Sequence, residues 1–338
     1  MCQNYNIPSE ALKVAETPNR LPPWYDFAHF CDFTLTCHKK KETPLEHIRQ
    51  DFSQLQEKYN DYTEFYTDGS KTKQHVGSAV VSEHWEHCLR LPQFASVFTA
   101  EVYALLMALE KIVTVEYKKA VVYTDSLSLL NSLHRKSECE PFLGYILKTL
   151  GKSEKHGQVI RLCWIPSHMG IPGNEKADKC AAMAGREKIT EINLPFKDCV
   201  RVVRAAITSK WQQDWGCQEN NKLQIVKPIL QEWKTSYHQE RFMEVILCRV
   251  RIGHTHLTHN FLLKNEEQAV CDQCQELLTV NHILITCPAL EEKRQKYFYE
   301  FYKTLTPLHP SLILAENALV SLDNVFKFLD ETGFLNKF

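Results

Sequence analysis

The stretch Thr63-Glu64-Phe65-Tyr66-Thr67-Asp68-Gly69-Ser70 decides the fold. Its β-branched and aromatic residues over 63–67 predict a short strand, and Asp68-Gly69-Ser70 has the composition of a turn that ends one. Forward of it, 76–82 and 88–91 read as two further strands, completing an antiparallel meander. Thr99 opens a helix whose Val102, Leu105, Leu106 and Leu109 share one apolar side. The apolar run 120–123 is a fourth strand, 126–134 and 141–155 are helices, 159–164 is a fifth strand, and 174–184 is a closing helix. Strands first and alternating elements afterwards imply an α/β domain over 61–188, a mixed five-stranded sheet flanked by helices.

Backward of Thr63, residues 1–60 read as a connector. Pro8, Pro18, Pro22, Pro23 and Pro44 interrupt them, Lys39-Lys40-Lys41 is a short basic run, and only 44–58 shows helical spacing, at Leu45, Ile48, Phe52 and Leu55. Pro22-Pro23-Trp24 reads equally as an extended arm whose Trp docks and as a solvent-facing tether. Beyond 188 the chain turns mainly helical. A basic helical region covers 189–264, with helices over 197–215 and 240–251. A small Cys/His module follows at 265–295. The helical tail, 296–338, opens on the apolar positions Tyr297, Phe298, Phe301, Tyr302 and Leu305.

A chain of 338 residues has room for two domains. Its 44% apolar and 24% charged residues exclude wholesale disorder. Forty Lys and Arg against forty-one Asp and Glu leave a net charge of −1, so any nucleic-acid contact must come from a local patch. No apolar run reaches the ~18 residues of a membrane span. The opening residues lack a basic segment followed by an apolar core, which argues against secretion. Thirteen cysteines, an odd number and mostly single (Cys88, Cys139, Cys163, Cys180), fit reduced thiols better than a disulfide framework. The expectation is an intracellular protein, with nucleus and cytoplasm both open because Lys39-Lys40-Lys41 is too short to argue import.

Four carboxylates occupy places that bear on chemistry. Asp68 follows the first strand, Glu101 lies in the first turn of the first helix, Asp125 caps the fourth strand, and Asp178 lies on the closing helix. Singly each has an ordinary explanation: a turn residue, a helix N-terminal charge, an N-cap, a solvated surface. Jointly they acquire another. Ligands gather outside the carboxyl ends of parallel strands, so Asp68 and Asp125 converge if their strands are neighbours. Converging carboxylates repel unless protonated or bridged by hard cations such as Mg²⁺ or Mn²⁺, and two such ions can activate water for phosphodiester hydrolysis.

Five segments resemble type 1 ribonuclease H in order and spacing: Tyr66-Thr67-Asp68-Gly69-Ser70, Thr99-Ala100-Glu101, Tyr123-Thr124-Asp125-Ser126, Trp164-Ile165-Pro166-Ser167-His168 and Gly173-Asn174-Glu175-Lys176-Ala177-Asp178. The version most resembled is the ribonuclease H domain at the end of non-LTR (LINE-type) retrotransposon reverse transcriptases. The resemblance implies an endonuclease hydrolysing the RNA strand of RNA–DNA hybrids, with Asp68, Glu101, Asp125 and Asp178 carrying two Mg²⁺ (or Mn²⁺) ions. His168 falls where the family has a mobile histidine, and an ordinary pKa of ~6.5 suits it to proton transfer. The Trp- and Lys-rich handle of the bacterial enzymes is missing between Asp125 and His168, where Lys148, Lys152 and Lys155 are a thin replacement. Residues 61–185 balance 14 basic against 14 acidic residues, so this domain adds no net attraction for phosphate.

Near the C-terminus, Cys271, Cys274, His282 and Cys287 are spaced C-x2-C-x7-H-x4-C. Two thiols two residues apart can chelate from one turn, and three thiolates with an imidazole favour Zn²⁺. The competing account is chance clustering, with His282 a core residue. Arg251-Ile252-Gly253-His254-Thr255-His256-Leu257, the Cys271 and Cys274 pair, Asn281-His282-Ile283-Leu284 and Cys287-Pro288 resemble the C-terminal segment of the same retroelement proteins. The resemblance implies a C-terminal fragment of a retrotransposon polyprotein, with a reverse transcriptase encoded elsewhere in the element. Between the two sites, residues 195–264 hold eleven basic and six acidic residues, with Trp211, Trp215, Trp233, His238, His254, His256 and His259 among them. That pattern suits nucleic acid, and equally an amphipathic helical core with a solvated face. The leading function is therefore a metal-dependent ribonuclease H. The alternative is a nucleic-acid-binding module whose nuclease site is intact but idle for want of affinity.

Overall fold

Six strands form one mixed sheet in the computed structural model, which describes residues 7–16, 27–37, 43–135 and 141–338. They are β1 (Cys31–Asp32), β2 (Thr63–Lys71), β3 (Val76–Val81), β4 (Glu86–Leu91), β5 (Lys119–Thr124) and β6 (Val159–Trp164), in the spatial order β1-β6-β5-β2-β3-β4. The meander β2-β3-β4 is antiparallel, while β5 pairs parallel with both β2 and β6. Helices α1 (Leu45–Lys58), α2 (Val97–Val115), α3 (Leu127–His134), α4 (Pro141–Lys155), α5 (Pro172–Met183) and α6 (Phe196–Gly216) complete the order.

Side chains alternate across the sheet, as a strand's period of two requires. Phe65, Val80, Val122, Ile160 and Leu162 pack with Leu105 and Leu109 of α2, Leu129 of α3 and Ile146 of α4. Tyr66, Val81, Val121, Tyr123 and Cys163 face the other way, onto Phe52 and Leu55 of α1 and Ala177 of α5. Central β5 is covered on both faces, which is why its sequence is a continuous apolar run.

Three expectations are corrected here. The first strand does not end at Asp68-Gly69-Ser70. Those residues continue β2 and pair with Ala79, Ser78 and Gly77, and the chain reverses over 72–75, where the Thr72 N–H donates to the His75 carbonyl at 2.9 Å. Helix α2 begins at Val97, capped by Ser96, which accepts from the Thr99 N–H, so Glu101 stands in the second turn. Finally, residues 27–58 are more than a connector. β1 adds a sixth strand beside β6, Phe27 and Phe30 enter one core, and Leu35, Phe52 and Leu55 enter the other. Two-residue strands carry no periodicity to read. Pro22-Pro23-Trp24 and Lys39-Lys40-Lys41 lie outside the described residues.

The chain divides into two units, the first ending at Ala206 and the second spanning Ile207–Phe338. Past α5 the first unit continues: Leu194 pairs with the Val14 segment, and Cys199 packs with Val76, Leu91 and Ala100. The second unit has a single core, in which α7 (Lys222–Val226), α8 (Arg241–Ile252), the Cys/His segment and the tail share Val226, Ile246, Val250, Ile283, Phe298 and Phe328. In the tail, Phe298 and Phe301 are buried as the amphipathic run predicts, whereas Leu305 is exposed at a left-handed helix end. No described helix is long and apolar enough to cross a membrane.

Candidate active site and metal centre

β2 and β5 are neighbours, and their last paired residues are Thr67 and Thr124. The next residue along each is an aspartate, so Asp68, within β2, and Asp125, just past the end of β5, stand side by side. Glu101 joins them because α2 crosses β2 at a glycine. A Cβ on Gly69 would lie 2.5 Å from the Glu101 backbone nitrogen and 2.9 Å from the Ala100 carbonyl carbon. One carboxylate oxygen from each of Asp68, Glu101 and Asp125 lies within 4.8 Å of the others.

Asp178 is not in that tight group. Its carboxylate lies with His168 and Glu175, and the His168 Nδ1 stands 3.8 Å from its Oδ2. It remains close enough for its charge to act on Asp68. Burial first, then the charges of Asp125 and Asp178, push the Asp68 carboxyl up to about 7. Burial, then Asp68 and Asp125, hold Glu101 well above the usual carboxylate range. His168 is exposed and left-handed (φ 56°), two residues before Gly170 at φ 70°. Two residues to which the sequence reading gave no role line the same place. Asn174, buried on α5, points its Nδ2 at the Asp125 Oδ2 3.5 Å away, and Glu175 Oε1 accepts from the Gly170 N–H at 3.3 Å. Both sit inside the last quoted motif, but only their contacts distinguish them there.

The donor set fits hard cations. Three carboxylates converge, yet Glu101 Oε2 is buried without a hydrogen-bond partner, a situation that costs about 1–3 kcal/mol unless something charged relieves it. Residues 60–186 match the family model for RNase H. That part of the chain is an RNase H domain. At the level of the family this means a hydrolase acting on nucleic acid. The described unit reaches beyond the matched residues on both sides, through β1 and α1 before them and the start of α6 after them.

The second cluster is equally compact. One ligand atom from each of Cys271, Cys274, His282 and Cys287 lies within 4.8 Å of the others. Cys271 and Cys274 occupy a tight hairpin, bridged at Val270 and Leu277 and closed by a Gln275 N–H to Cys271 carbonyl bond of 2.9 Å. His282 and Cys287, five residues apart, would diverge by about 140° around an α-helix. Instead the Cys287 N–H donates to the His282 carbonyl at 2.9 Å, a wider π-type turn that brings both to one side. Thr286 Oγ1 engages His282 Nδ1 at 3.3 Å, leaving Nε2 toward Cys274 Sγ, also 3.3 Å away. Cys271 Sγ and Cys287 Sγ are 3.8 Å apart, far beyond a disulfide and equal to the ~3.8 Å edge of a tetrahedron with ~2.3 Å Zn–S bonds. Backbone N–H of Gln273 and the His282 ring hold the Cys271 thiol below its ordinary pKa, which favours the thiolate a metal needs.

Much of the basic, aromatic pattern over 195–264 is internal packing. Trp233 is buried beneath Lys227 and Arg251, at 4.8 and 4.6 Å from its ring. Arg251 is itself buried and donates to the Leu314 carbonyl and Thr235 Oγ1. Trp215 donates to the Lys227 carbonyl, His238 meets Phe326 edge-on, and His254 stacks on His259 at 3.9 Å. Trp211 is 59% exposed.

Proposed function

We propose that this protein is a metal-dependent endonuclease that hydrolyses the RNA strand of RNA–DNA hybrids. The observation that carries the reading is the convergence of Asp68 of β2, Glu101 of α2 and Asp125 just past β5, inside the residues matched to RNase H. Together with Asp178 they would hold two Mg²⁺ or Mn²⁺ ions. Bound there, such ions would offset the carboxylate charge, activate water and stabilise the leaving oxygen of a phosphodiester. The chain's own part is positional. Gly69 admits α2 close enough to set Glu101 beside Asp68, and Asn174 Nδ2 fixes the Asp125 carboxylate. His168 Nδ1 faces Asp178, which leaves Nε2 to exchange a proton with solvent as product leaves.

Cys271, Cys274, His282 and Cys287 would hold one Zn²⁺ with a structural role in the second unit. We further infer an origin in a non-LTR retrotransposon polyprotein, with a reverse transcriptase as the natural partner. The test is cleavage of a labelled RNA–DNA hybrid by the purified chain, with single-stranded RNA and duplex RNA as controls. Mg²⁺-dependent cleavage confined to the hybrid, and absent in Asp68→Asn, is the expected result. Hybrid binding without cleavage would favour the binding-module reading, which the balanced charge over 61–185 supports.

A further inference from the structure

We propose that a hollow in the second unit, between α7, α8 and the turn that carries His282, binds an unpaired base of single-stranded RNA, with the adjoining phosphate on Lys222. The site lies outside the residues matched to RNase H and would act whether or not the first unit cleaves a hybrid.

Folding brings the lining together from distant sequence. Val250 comes from α8, Leu284 from the π-type turn and Leu314 from the tail helix Pro310–Leu314, and none is more than 2% exposed. Ile225 of α7 joins them, 52% exposed. The hollow measures about 350 Å³, within the range of small-molecule sites. A flat ring can stack between apolar side chains of this kind as it does on aromatic ones. Two polar groups border the same space. Asn281 is exposed, and its side-chain amide makes no hydrogen bond among the described residues. An amide offers a donor and an acceptor together, the combination that reads the edge of a base. Thr279 Oγ1 accepts from the His282 N–H at 3.0 Å, which leaves its own proton to donate.

The charge at the hollow belongs to Lys222, which is exposed. Its stem crosses Gly253, where a Cβ would lie 2.9 Å from Lys222 Cδ, and its ammonium donates to His259 Nε2 at 3.1 Å. Burial first, then His254 and Lys222, hold His259 below its ordinary pKa, so the ring stays neutral and supplies no counter-charge. Arg251 also borders the hollow, but it is committed to the Leu314 carbonyl and Thr235 and feels the charge of Glu316. No acidic residue borders the hollow, and Lys222 pairs with no carboxylate among the described residues, which include the whole second unit. A positioned cation beside an apolar hollow complements a group that is flat at one end and anionic at the other, as a nucleotide is. An amphipathic helix fits less well, since it needs a groove that takes several anchors a turn apart. RNA loops and ends present such bases unstacked, and the same chain carries an RNase H domain.

The experiment uses the full chain with Asp68→Asn, so that cleavage does not intrude, and measures affinity for a short single-stranded RNA across a salt series. A second strand of the same length keeps its phosphates but has abasic sites in place of its bases. Asn281→Ala should weaken binding of the intact strand about tenfold and leave both the salt slope and the abasic strand unaffected. Lys222→Ala should weaken both strands and reduce the slope of log K against log salt by about 0.7, the value for one phosphate contact on a single strand. Lys222→Arg should keep the slope. Both side chains are exposed, so thermal unfolding should match that of the parent. If Asn281→Ala affects the abasic strand as strongly as the intact one, no base enters the hollow and the proposal falls. It falls too if neither variant changes affinity for RNA, the outcome expected of a hollow that takes a protein segment.

Discussion

Gly69 has no side chain because none would fit, and the site depends on that. A methyl group there meets backbone on α2, not the end of a flexible side chain, so the helix itself must retreat. Gly69→Ala is expected to cost about 1–3 kcal/mol by overpacking and to move Glu101 away from Asp68. Cleavage should fall by about 10²-fold, since small misplacements of a reacting geometry are that costly. Thermal unfolding and hybrid turnover, measured on the same preparation, check both halves. Asp68→Asn keeps size and removes charge, so it should leave the fold intact and reduce cleavage below a tenth of wild type. His168 is different in kind. It is exposed and lies by Asp178, outside the three-carboxylate group, so His168→Ala should slow turnover by about 10²-fold or less without altering the metal requirement. Loss as complete as that in Asp125→Asn would show that His168 is a ligand.

Among the elements, β1 has the most specific anchor. Asp32 is buried, which alone would raise its pKa, but hydrogen bonds from Lys58, Thr34 and Tyr59 together bring it down to about 2. A carboxyl depressed in the folded state stabilises above its unfolded pKa of ~3.9 and loses that contribution as pH falls toward 2. The drop of nearly two units corresponds to about 2 kcal/mol. Acid titrations of stability should therefore be shallower between pH 4 and ~2 in Asp32→Asn than in wild type, although the variant is less stable at neutrality. None of this was legible in the sequence, because a two-residue strand has no alternation and a lone aspartate in a Pro-rich stretch has no pattern. The central elements were legible for the opposite reason. β5 is covered on both faces and reads as an unbroken apolar run, and the meander and its helices keep their periods. Turn chemistry misled at Asp68-Gly69-Ser70, where glycine serves the passage of a helix and not a reversal of the chain. The four carboxylates and the Cys/His set were all readable as residues. The place of Asp178 within the site was not, since its position beside His168 and Glu175 depends on the path of α5. The turn between His282 and Cys287 makes the same point. Its width matches the H-x4-C spacing, so inserting one alanine between Leu284 and Ile285 should rotate Cys287 off the site. Zinc content by elemental analysis should then fall from about one per chain, with Cys271 and Cys274 unchanged.

For the whole molecule, the Cys/His segment is not a detachable module. Cys271, Leu278, Val280, Ile283 and Cys287 share a core with α8 and the tail. Removing zinc by Cys274→Ser or a chelator should therefore destabilise the second unit as a body, since metal binding energy there is folding energy. Hydrogen exchange should rise across 207–338, while the first unit, with its own cores, keeps its protection and its cleavage at high substrate. Protection lost only over 265–295 would contradict the shared core. The pairing of Val14 with Leu194 has a different kind of consequence, in time. On a ribosome adding ~5–20 residues per second, about 180 residues separate the two partners, so Val14 waits on the order of 10–40 s for Leu194. Meanwhile Phe27 and Phe30, both buried in the finished domain, stay uncovered until the strands and helices that cover them emerge. The nascent chain therefore leaves two apolar side chains exposed before its first unit can close. A product truncated at 190, although it contains every residue matched to RNase H, lacks the segment that ends the wait, and pulse proteolysis should find it open.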